Sequence, residues 1–116
     1  MEKILNIDGK VFKTLSNSDN ADVGEGTLFF YHQHGTIISA DYSGGDIVKG
    51  HLVGKQLHSG EFDFVYHHIN TKNELKIGKC LSKAVMLDDG RLKLFEKWQW
   101  LCDDMSTGLS ELIEVV

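Results

Sequence analysis

Short turn-forming segments recur along the chain at intervals that leave room for strands and little else. They are Asp8-Gly9, His34-Gly35, Ser43-Gly44-Gly45, His58-Ser59-Gly60, Thr71-Lys72-Asn73 and Asp88-Asp89-Gly90. Between them lie runs rich in β-branched and aromatic residues, and no window sustains a helical period. This spacing predicts strands over 10–15, 27–33, 36–42, 46–57, 61–70, 74–85, 91–103 and 109–116, with a short N-terminal strand at 2–7. The polar stretch from Ser16 to Gly26 reads as a loop or short turn. Most connections are short enough to be hairpins, so strands adjacent in sequence should be adjacent in space. The expectation is an all-β chain: one domain over 1–116, a single antiparallel up-and-down (meander) β-barrel of about eight strands. Such a barrel removes exposed sheet edges by closing on itself.

Composition sets the outer bounds. The 116 residues are 41% hydrophobic and include 12 glycines and no proline, which suits a folded domain with many tight turns. A net charge of −5 with no basic run argues against a nucleic-acid partner. No segment approaches the ~20 apolar residues of a membrane span, so no membrane partner is expected. The first residues, MEKILNIDGKVFK, lack an apolar signal core, which makes a cytoplasmic location the expectation.

Period-two alternation sorts the faces of the strands. Leu92, Leu94, Glu96, Trp98, Trp100 and Cys102 share one face of 91–103, and Phe62, Phe64, Tyr66, His68 and Asn70 share one face of 61–70. The turns then set register. Closing a hairpin at Asp88-Asp89-Gly90 puts Ser82 opposite Glu96, Cys80 opposite Trp98 and Gly78 opposite Trp100. Closing another at His58-Ser59-Gly60 puts Gly54, Leu52 and Gly50 opposite Phe64, Tyr66 and His68. A turn at Thr71-Lys72-Asn73 puts Tyr66 opposite Gly78. Small residues thus face large ones repeatedly, as the filled lumen of a small barrel requires. In this register Cys80 and Cys102 lie about 13 Å apart, beyond the ~7 Å that a disulfide spans, so two free thiols are expected.

The inward polar set is the candidate site. Tyr66, His68, Asn70 and Glu96 lie beside Phe64, Trp98 and Trp100, with Tyr31 and Gln33 joining from the strand before His34-Gly35. Burying a carboxylate, an imidazole and an amide among aromatic rings is costly unless they are hydrogen-bonded or line a cavity for water or a ligand. Two readings stay open: a ligand cavity, or a satisfied polar network in a filled core. Glu96 in that setting should have a raised pKa. His32-x-His34 and His67-His68 have no carboxylate or cysteine at ligand spacing, so no metal is expected, nor any other cofactor. Cys80 in an apolar lumen would be an inert thiol.

The segments YHQHGTIISADYSGGDIVKGHLVG, GEFDFVYHHINTKNELKIGKC and DGRLKLFEKWQW resemble a family of small bacterial proteins often labelled N-acetylglutamate synthase. The resemblance runs roughly from Phe12 to Trp100 and carries over no catalytic residue. The strand–glycine loop–helix unit by which acetyltransferases bind acetyl-CoA has no counterpart in this pattern, so that activity is not expected. By architecture the chain is similar to lipocalin-like and avidin-like barrels, which hold small ligands. The leading expectation is therefore a protein binding a small molecule inside its barrel. One alternative is a small lyase- or decarboxylase-like enzyme using Glu96 with Tyr66 or His68 as acid and base. Another is a non-catalytic interaction module or homodimer, using an outer apolar patch around Leu28, Phe30, Val65 and Ile69.

Overall fold

A computed structural model describes residues 5–116. Eight strands close into one barrel in the order of the sequence: β1 (Val11–Asn17), β2 (Leu28–His34), β3 (Ile37–Gly44), β4 (Ile47–Gln56), β5 (Phe62–Asn70), β6 (Leu75–Met86), β7 (Leu92–Trp100) and β8 (Thr107–Val115). Every neighbouring pair is antiparallel, and β1 pairs with β8 to complete the ring. All elements are strands, as the turn spacing predicts. The first of the expected strands, at 2–7, falls partly outside the described residues; 5–7 are irregular.

The registers read from the turns are those observed. Ser82 faces Glu96, Cys80 faces Trp98 and Gly78 faces Trp100. Gly54, Leu52 and Gly50 face Phe64, Tyr66 and His68, and Tyr66 faces Gly78. The glycines are there for volume. A Cβ on Gly50 would strike the Tyr42 ring, one on Gly78 the Tyr66 ring and one on Gly108 the Trp98 ring, while one on Gly54 would strike Phe64 and the Asp63 carbonyl. Gly50, Gly78 and Gly108 are thus recesses that each receive a neighbouring ring, and Gly54 leaves room for the backbone of β5.

Most boundaries fall within one or two residues of the sequence reading, and the end of β7 departs furthest. β7 ends at Trp100, three residues short of the expected 103, and β8 begins at Thr107. A tight turn intervenes, closed by Trp100 N donating to the Ser106 carbonyl and Met105 N donating to the Cys102 carbonyl. Asp103 and Met105 take positive φ there without being glycine, so the usual turn signal is missing. Cys102 consequently sits half-buried in this turn, past the end of the strand and packed against the core; it and the buried Cys80 are both free thiols. β1 extends to Asn17, past the expected 15, with a register shift between Thr14 and Ser16 that turns Leu15 out to solvent.

The two ends of the barrel are closed differently. At one end residues 5–10 cross the opening: Ile7 is fully buried, and Gly9 N and Tyr31 N exchange backbone bonds with Tyr31 and Lys10. At the other end the β1–β2 connection, residues 18–27, folds over the lumen.

Candidate functional site

Under the 18–27 connection lies a cavity of about 40 Å³. Its wall is aromatic: Phe29, Tyr42, Phe64, Tyr66, His68, Trp98 and Trp100. The rings touch in sequence around the lumen. Phe29 stacks on Tyr42 with centroids 4.8 Å apart, Tyr42 meets His68 edge-on at 5.7 Å, His68 meets Trp100 at 5.8 Å and Trp100 meets Trp98 at 5.5 Å. Cys80, Glu96 and Ser110 line the cavity between the strands, and Asn17, Ala21, Asp22 and Val23 roof it.

Glu96 stands out energetically. Period two on β7 directs it inward, where it is buried. Its Oε1 accepts a 3.1 Å bond from the Ser110 hydroxyl. Its Oε2 is buried with no protein partner. Ser82, directly across the β6–β7 pair, likewise leaves its hydroxyl without a formed hydrogen bond. Burial pushes the carboxyl up to about 7, and the Ser110 bond together with the nearby Ser82 hydroxyl offsets part of that rise. Burial in the same surroundings raises the Cys80 thiol, with the Glu96 charge adding to it, which leaves the thiol protonated and unreactive.

His68 is the centre of a three-residue chain. Its Nε2 lies 2.9 Å from Asp22 Oδ2 and its Nδ1 lies 2.9 Å from the Tyr42 hydroxyl. A carboxylate only accepts, so Nε2 carries the proton and Nδ1 accepts from Tyr42. Burial lowers the pKa of the imidazole, and the Asp22 contact recovers part of the loss. Both ring nitrogens are committed. Tyr42 also lies 3.3 Å from the His67 carbonyl, a second acceptor for its hydroxyl.

The remaining residues singled out in the sequence divide. Phe64, Tyr66, Trp98 and Trp100 line the cavity with His68 and Glu96. Tyr31 is buried deeper, edge-on to Phe12 at 5.4 Å, and its hydroxyl has no partner. Asn70 shapes the turn after β5: its Oδ1 accepts from Lys72 N and Glu74 N, and its Nδ2 donates to Glu74 and to Asp22. Gln33 lies at the opposite end of the barrel. There its Oε1 accepts from Ile7 N and its Nε2 donates to the Gly35 carbonyl and to Gln56. Asn17, Asp22 and Tyr42 belong to the site and carry no mark in the strand pattern that singles them out as polar lining. Tyr42 had one usable signal, its inward parity opposite Gly50.

No group of histidine, cysteine, aspartate and glutamate side chains among the described residues has the geometry of a metal site. No helix among them is long and apolar enough to cross a membrane. No curated protein matches the chain. A family of avidin-like proteins matches residues 5–115, nearly the whole length, in agreement with the closed eight-stranded meander. The chain belongs to the avidin-like protein family.

Proposed function

We propose that this protein binds a small, neutral molecule in the lumen beneath residues 18–27, with Glu96 accepting a hydrogen bond from an N–H or O–H of the ligand. The observation that carries the reading is Glu96 Oε2, a buried carboxylate oxygen of a cavity-lining residue that forms no hydrogen bond and has only the equally unpaired Ser82 hydroxyl beside it. Buried polar atoms are nearly always paired, so an unpaired one facing a cavity points to a group that arrives from outside. Trp98, Trp100, Tyr66 and Phe64 would clasp a flat apolar body. The barrel of the avidin-like family is consistent with small-molecule binding. As it stands the cavity of about 40 Å³ has room for only a few waters, each of which needs roughly 10–15 Å³. The ligand must therefore displace part of the roof or the wall.

The test is a screen of small metabolites, biotin among them, by thermal shift and by tryptophan emission. A true ligand raises Tm and perturbs Trp98 and Trp100, and Glu96→Ala weakens it about 10- to 100-fold, the usual worth of a hydrogen bond to a charged group. A ligand whose affinity is the same in Glu96→Ala, or one found bound outside the barrel, overturns the reading.

Acid–base catalysis by Glu96 is a second reading, supported by its titration near neutral pH. Tyr66 lines the same cavity as a partner, whereas His68 has no nitrogen to spare. Self-association has support too: Val53, Val65 and Ile77 lie exposed on adjacent strands of the outer face, and Leu28 and Phe30 are exposed on β2. Sedimentation equilibrium decides between a monomer and a homodimer. Two free thiols support a reducing, cytoplasmic setting.

A further inference from the structure

The roof of the cavity is built as a span between two posts. The first post is Ser18, whose N–H and hydroxyl both donate to the Leu109 carbonyl and whose hydroxyl accepts from Leu109 N. The second is Thr27, fully buried, with its hydroxyl donating to the Gly44 carbonyl. Between them no backbone–backbone hydrogen bond joins residues 19–26 to a strand, among the described residues. What holds the span down is side chains: Ala21 and Val23 pack against the core from above, and polar groups bond across. Trp100 Nε1 donates to the Asn20 carbonyl, Asn20 Nδ2 donates to Ser106 Oγ and to the Thr107 carbonyl, and Asn17 Nδ2 donates to the Val23 carbonyl. Asp22 reaches furthest in, accepting from both His68 Nε2 and Asn70 Nδ2. Near the second post Glu25 and Gly26 lie close against the β3–β4 turn, where a Cβ on Gly45 or Gly44 would strike their carbonyls, whereas a side chain added at Gly24 would meet nothing. Segments held by a few side-chain bonds, without a ladder, open at free energies well below global unfolding.

We infer that residues 19–26 are a gate on the lumen, latched by the Asp22 carboxylate on the donor pair His68 Nε2 and Asn70 Nδ2, and that a ligand enters by this route. The inference rests on the lumen being the binding site. The latch is also autoinhibitory: the carboxylate of the gate fills donors that face the cavity mouth, so entry requires giving them up. Opening exposes the Trp100 indole N–H outright, and it strains the Trp98 indole N–H, which donates to Asn17 Oδ1 at the foot of the span.

Those two indole N–H groups belong to the only tryptophans in the chain, so the gate can be read without any ligand. Hydrogen exchange of both is followed by ¹H–¹⁵N spectra in three proteins: wild type, Asp22→Ala, and a cross-linked variant. The last carries Asn20→Cys and Ser106→Cys, whose native side chains touch at 2.9 Å, in a Cys102→Ser background. Asp22→Ala should speed exchange of the Trp100 indole tenfold or more and leave the backbone amides of β5–β7 unchanged. The oxidised cross-link should slow it below wild type, and reduction should speed it past wild type, because the Asn20 bonds to Ser106 and Thr107 are gone. Should Asp22→Ala unfold the barrel, the oxidised and reduced states of the cross-linked protein decide the matter alone. Indole exchange that is insensitive to the cross-link, or that matches the slowest core amides, overturns the gate. A failed ligand screen leaves these readouts untouched, and a static roof leaves the screen valid with another entrance, so the two failures are told apart.

Discussion

Glu96 is the residue whose presence packing does not explain, and its protonation links the lumen to pH. Its pKa rises from 4.5 in the unfolded chain to about 7 in the barrel. Between those values the folded protein binds more protons than the unfolded one, so stability falls as pH rises through the window and levels off above it. A shift of that size corresponds to about 3 kcal/mol. Glu96→Gln keeps an acceptor for Ser110 and removes the charge. Urea unfolding from pH 4 to 8, followed by tryptophan emission, should find the two proteins nearly equal at pH 4. At pH 8 the variant should be the more stable by about 1–3 kcal/mol. Parallel curves would show that the carboxyl is solvated after all. At this scale the sequence was legible wherever period two applies: Glu96, Trp98, Tyr66 and His68 could be set on inward faces, and the structure brings them to one cavity. Asp22 could not be found that way. It is one of several acidic residues in SNSDNADVGEG, and which of them reaches His68 is decided by the path of the loop, which has no period.

At the scale of the element, the pairing of glycine with ring governs how strands meet. Gly108 opens β8 beneath Trp98, and the same indole is bonded to Asn17. Gly108→Ala forces the ring to shift, at a cost of about 1–3 kcal/mol for overpacking, and it should alter tryptophan emission as the bond to Asn17 is lost. A thermal melt read by fluorescence checks both. At the far end of the barrel, Glu114 on β8 joins two other segments: Oε1 accepts from Leu92 N and Oε2 accepts from Lys10 Nζ at 2.9 Å. Burial pushes its pKa up, but the Lys10 and Leu92 donors outweigh that and hold it low. Glu114→Ala leaves the Leu92 N–H buried and unpaired and should cost about 2–4 kcal/mol. Lys10→Ala, with the ammonium partly in water, should cost under ~1 kcal/mol in denaturant melts. Strand registers were readable because each short turn fixes the count of residues on both sides. The β7–β8 turn was not, since Asp103 and Met105 take positive φ without the glycine that ordinarily announces it.

For the whole molecule, the controlling fact is that the first strand pairs with the last. Val11 lies opposite Val115, which brings the start of β1 and the end of β8 together on one side of the ring. Joining the ends of the chain through a Gly-Ser linker long enough to leave residues 5–10 across the opening, and opening the chain at Asp89-Gly90, an exposed tight turn, keeps every strand pair. The permuted protein should retain its β circular dichroism and melt within about 5–10 °C of wild type. Loss of the cooperative transition would mean that the β6–β7 turn is needed for folding itself. Closure was implied by the sequence only as an economy, since a meander of this length would otherwise expose two edges; the β1–β8 register could not be read because no turn connects those strands.

The same pairing decides how the barrel would respond to force. Because β1 and β8 are antiparallel, tension between the two ends of the chain would first draw residues 5–10 out of the opening and then load the β1–β8 ladder one rung at a time, beginning at Val11 and Val115. The ring would peel open like a zipper, with no row of bonds sharing the load. A ring whose pairing is continuous around its circumference would therefore yield rung by rung once tension reaches its seam, and a protease that unfolds substrates from a terminus would have to release residues 5–10 before it met that seam.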